Sequence, residues 1–140
     1  MRQLPVLTVV YLAVAVTAAA QQPRVEPAEH IRQLHQAAIK PASEVVFNVG
    51  REAPRTSEDW MAISHASAVL IQSANLLVRE APTKNRIAWI TFSRQLAAAG
   101  RAARHAAETR DVSALMRTSD RLVTVCESCH APFRKPAGQR

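Results

Sequence analysis

Four long stretches of this chain repeat apolar residues at steps of three and four. Short segments carrying proline, glycine or a capping residue separate them. Residues at that spacing share one face of an α-helix, so the pattern asks for four amphipathic helices. Only 3 glycines and 4% aromatic residues occur in 140 residues, too few of either for a turn-rich β fold.

The first helix is expected from Glu26 to Gly50, with Ile31, Leu34, His35, Ala38, Ala42, Val45, Val46 and Val49 on one face. Pro41 lies inside it and should kink the helix or remove one backbone hydrogen bond. Gly50 is a stop, and Arg51 to Arg55, with Pro54, form a connection. The second helix opens at Thr56 or Ser57, either of which can cap free N–H groups. Glu58 and Asp59 suit the positive end of its dipole. Its buried stripe is Trp60, Ile63, Ser67, Leu70, Ala74 and Leu77. Arg79 to Asn85, with Pro82, interrupt the pattern.

The third helix runs from about Asn85 to Thr109, with Trp89, Phe92, Leu96, Ala99 and Ala103 inward. Asp111 can cap the fourth, whose face is Val112, Leu115, Met116, Ser119, Leu122, Val123, Cys126, His130 and Phe133. Burying four such stripes with short connections is cheapest in an antiparallel bundle, so the fold class is all-α. The bundle should occupy residues 21–134, followed by a polar tail over 135–140. Trp60-Met61-Ala62-Ile63-Ser64 echoes Trp89-Ile90-Thr91-Phe92-Ser93, read as similar core demands in two helices.

Residues 1–20 read as an export signal. Arg2 gives a positive start, Leu4 to Ala20 are almost wholly apolar, and Ala18-Ala19-Ala20 fit a small-residue cleavage site. The competing reading is a membrane anchor, for which this run is at the short limit. Export with cleavage near Ala20 makes the expected location periplasmic, with no membrane span afterwards, since no second run of that kind is evident. The net charge is +7. The basic residues are spread over all four helices without interleaved aromatics, which argues against nucleic acid and for an ordinary solvated basic surface.

The chemistry sits in Cys126-Glu127-Ser128-Cys129-His130, which contains the chain's only two cysteines. This is the attachment pattern of c-type haem. Two thiols three residues apart reach the two vinyl groups of one porphyrin, and the adjacent imidazole is placed to ligate iron. A thioredoxin-like dithiol would want a strand before it. A disulfide across three residues would close too small a loop to matter. Zinc needs four ligands, and only scattered histidines could complete the set. One covalent haem c on the C-terminal helix is therefore the expectation. No methionine follows His130, so a sixth ligand would have to come from an earlier helix.

With its signal segment, four helices and a haem motif on the last, the chain resembles the cytochrome c′ family and its six-coordinate c556-type relatives. The match is carried by Cys126-Glu-Ser-Cys-His-Ala-Pro-Phe133-Arg134, a C-terminal motif followed by an aromatic and a basic residue. Ile39-Lys-Pro-Ala-Ser-Glu-Val-Val-Phe47 also looks like a segment of such proteins. The resemblance implies thioethers at Cys126 and Cys129, His130 as proximal ligand, Arg134 as a propionate partner, and allows a homodimer through the first two helices. In c556-type relatives a methionine on the first helix fills the sixth position; here His35 aligns with it.

His35 lies on an apolar stripe, and a buried imidazole needs a partner, which iron or a hydrogen-bonding neighbour would supply. His30 is the next candidate; His65 and His105 fall on helix flanks. Met61 would rival His35 only if the second helix faced the iron. Leu122, Val123 and Phe133, within one or two turns of His130, are the expected ring contacts. Trp60, Trp89, Phe47, Phe92 and Met116 read first as ordinary core. The expected function is one-electron transfer with periplasmic redox partners, through a haem with His130 and His35 as axial ligands, rather than catalysis. The alternative is a five-coordinate haem binding NO or CO. A peroxidase, third, would want a distal acid–base pair.

Overall fold

A computed structural model describes residues 27–133 of the chain. Those residues form an all-α bundle of four members, as expected. The signal segment, Arg134 and the polar tail lie outside the described residues.

The first member is composite. Helix α1 (Pro27–Leu34) passes without a break through a π turn, His35–Ile39, into α2 (Lys40–Phe47), and closes in a 3₁₀ turn, Asn48–Gly50. The Lys40 N–H donates to the His35 carbonyl, five residues back. Pro41 explains the wide turn. A proline ring clashes with the carbonyl four residues behind it in a regular helix, and one extra residue in the turn moves that carbonyl aside. The expected kink is thus a π turn, which also shifts the buried stripe. Ile39, Ala42, Val46 and Val49 are buried, whereas Ala38 is only half-buried and Val45 is exposed.

Helix α3 (Ser57–Arg79) starts with a capping box. The Asp59 N–H donates to Thr56 Oγ1 at 3.1 Å, and the Thr56 N–H donates to the Asp59 carboxylate at 2.8 Å. All six residues expected in its stripe are buried. By length and composition α3 is also long and apolar enough to cross a membrane, whereas no second run of that kind is expected from the sequence. In the bundle Ile63, Leu70, Ala74 and Leu77 are spent on the protein core.

Helix α4 (Arg86–Glu108) packs closely along α3 through small residues. Gly100 lies under Ile71, and a Cβ there would stand 2.9 Å from the Ile71 side chain and 3.2 Å from the Ser67 carbonyl. The Trp89 indole donates to the Leu77 carbonyl at 2.7 Å, fixing the start of α4 on the end of α3. Helix α5 (Val112–Phe133) is capped by Asp111, whose carboxylate accepts from the Ala114 N–H at 2.8 Å. Leu115, Ser119, Leu122 and Val125 are buried. Met116 and Val123 depart from the expected face at 41% and 40% exposure. Val125, one turn on from Leu122 and absent from that face, is buried instead.

The connections are short, so neighbouring members run antiparallel. The start of the first member, the end of α3, the start of α4 and the end of α5 therefore meet at one end of the bundle. Arg110 donates to Ser57 Oγ at 3.1 Å at the other.

Candidate functional site

The shared end of the bundle gathers the motif. Cys126 and Cys129, three residues apart on α5, lie on one side of that helix. Both are free thiols and half-buried. Burial pushes both thiols above their ordinary range, with the Glu127 carboxylate adding to the effect on Cys126 and the neighbouring Cys126 adding to it on Cys129. They are therefore protonated and shielded rather than activated nucleophiles.

His130 follows directly and is half-buried. Its ring faces that of His35, with centroids 5.2 Å apart and planes inclined at 51°. These two imidazoles are separated by nearly the whole described chain, and only the antiparallel arrangement brings them together. The contact sets two imidazoles from different members of the bundle side by side.

Phe133, one turn beyond His130, meets Trp89 edge to face at 5.0 Å and Phe92 at 6.4 Å. Leu122 is fully buried beneath the motif. Val123 lies at the exposed edge of α5, so of the expected ring contacts it is the least enclosed.

The remaining candidates separate cleanly. His30 is paired with Glu80 through Nδ1 at 2.8 Å, half-exposed, and stands apart from the histidine pair. Nothing in its spacing marked that partner, because Glu80 belongs to the α3–α4 connection. His65 and His105 are exposed. Met61 is exposed as well, at 54%.

Does this end suit a large planar apolar group? Helix α1 is strongly amphipathic yet buries no residue. Ile31 and Leu34 rest against the core only partly covered, as do Cys126 and Phe133. An apolar face left half-covered beside two thiols and two imidazoles is the surrounding that a covalently held porphyrin would complete. The donor types fit: Cys126 and Cys129 would hold such a group, and His130 and His35 are the imidazoles available to its metal. Among the described residues no cluster of three or more metal-ligating side chains is preassembled. Comparison with protein-family models, with curated proteins and with solved structures finds no match to this chain.

Proposed function

We propose that this chain is an exported monohaem c-type cytochrome that transfers single electrons. The observation that carries the reading is the His35–His130 ring contact at 5.2 Å. His130 belongs to the attachment motif and His35 was singled out by its place on an apolar stripe. Haem c would supply an iron cycling between two oxidation states, and a second imidazole would lower its potential relative to a methionine ligand.

The chain's own residues have separate tasks. Cys126 and Cys129 tether the group to α5. His130 and His35 are the residues that would ligate its iron. Ile31, Leu34, Leu122 and Phe133 exclude water and keep the surroundings apolar, which favours the less charged state. Arg134, directly after Phe133 in the chain, is assigned to a propionate by charge. Export through the segment before Gln21 suits this chemistry, and the partners are periplasmic redox proteins.

The test is the visible spectrum of the purified protein, oxidised and reduced, with and without CO, for wild type and His35→Ala. The expected wild type is low-spin and indifferent to CO, and the variant becomes high-spin and CO-reactive. A wild type already high-spin and CO-binding would replace electron transfer by binding of a diatomic gas. A colourless protein would remove the haem.

A further inference from the structure

Charge is unevenly divided among the helices. Helix α3 carries Glu58 and Asp59 against Arg79, and α5 carries Asp120 and Glu127 against Arg117 and Arg121. Helix α4 carries four arginines, at 86, 94, 101 and 104, against the single carboxylate of Glu108. Glu108 is already taken by Arg104 at 2.8 Å. The ion pairs among the described residues leave Arg94 and Arg101 with no carboxylate within 4.0 Å.

Arg94 and Arg101 are exposed and seven residues apart, so they share one face. Ile87 and Thr91 continue that face towards the histidine-bearing end. Ile87 is 84% exposed, far more than any other large apolar side chain of the described residues. One exposed apolar residue alone means little. Here it caps a row of uncompensated arginines and lies two residues before Trp89, whose ring touches Phe133 of the haem-motif turn.

We infer that the Ile87–Thr91–Arg94–Arg101 face of α4 is a docking surface for an acidic protein partner. Ile87 is its apolar anchor, and the arginines orient the partner. That the partner is a redox protein rests on the function proposed above. Such a surface combines a small apolar contact with steering by opposite charge.

The experiment uses the isotope-labelled protein as purified, titrated with a synthetic glutamate–leucine peptide and followed by amide NMR at low ionic strength. The control peptide has glutamine in place of glutamate. Shifts should concentrate at Ile87, Thr91, Arg94 and Arg101. Reversing both charges, Arg94→Glu with Arg101→Glu, should weaken binding roughly tenfold, and the difference should fade in about 0.5 M salt, where exposed charges are screened. Ile87→Ala should weaken binding at both salt levels. All three positions are exposed, so circular dichroism should be unchanged. Shifts spread over the whole surface, or equal binding of the glutamine peptide, would overturn the inference while leaving the haem spectrum untouched. An α4 footprint on a protein without the haem spectrum would overturn the redox character of the partner.

Discussion

Two side chains show opposite ways in which a polar atom affects stability. Ser43 is only 4% exposed, and among the described residues its buried hydroxyl has no hydrogen-bond partner. Burying an unpaired hydroxyl costs about 1–3 kcal/mol, and alanine is the better helix former. Ser43→Ala should therefore raise stability by about 1 kcal/mol in urea unfolding; an unchanged or lower midpoint would mean that the hydroxyl is satisfied in solution. Asp59 is the contrary case. It accepts from the Thr56 and Arg55 N–H groups, which hold its carboxyl below the ordinary carboxylate range. A depressed pKa contributes stability that is fully present above the unfolded value and lost as pH falls through the folded one. Wild type should exceed Asp59→Ala by a constant margin above about pH 5, and the two unfolding curves should converge in stronger acid. A margin that persisted in acid would assign the effect to packing instead.

Helix packing depends on one small residue more than on any large one. Gly100 lets α4 approach α3 closely, with a Cβ position 2.9 Å from Ile71 and 3.2 Å from the Ser67 carbonyl. Gly100→Ala sets a helix-propensity gain of about 1 kcal/mol against contacts that a flexible Ile71 can partly relieve. Gly100→Val adds branches that the Ser67 backbone cannot avoid, so thermal unfolding should show a loss of about 1–3 kcal/mol. At this scale the stripe of α3 is fully legible in the sequence: every residue named for it is buried. The sequence misled in the first member, where the π turn before Pro41 substitutes Ile39 for Ala38 and turns Val45 outward. A period of 3.6 residues cannot report an inserted residue. Met116 and Val123 misled for a different reason, because apolar character at the edge of a stripe does not say whether a neighbouring helix reaches it. The His35–His130 contact was legible in its members only, since their meeting depends on how far each helix slides along the next.

For the whole molecule, the two ends of the bundle differ in how fully they are packed. From Val46 through Leu70 and Ala99 to Leu115 the core is sealed. At the histidine end α1 contributes an apolar face that buries nothing completely. It meets the body through partial contacts of Ile31 and Leu34, the His35 ring contact and the half-exposed His30–Glu80 pair. An exposed pair of that kind is worth at most about 1 kcal/mol. Sub-global opening should therefore begin at α1, and a group seated between His35 and His130 should suppress it, because a ligand bound only by the closed form stabilises that form. On the proposed function that group is a haem, and amide hydrogen exchange on the purified protein and on Cys126→Ala/Cys129→Ala tests this directly. Residues 28–36 should exchange at least roughly tenfold faster in the variant, while α3 and α4 keep their protection. Equal protection of α1 in both forms would mean that the first helix is held by the protein alone, and His35 would then lose its role in closing the site.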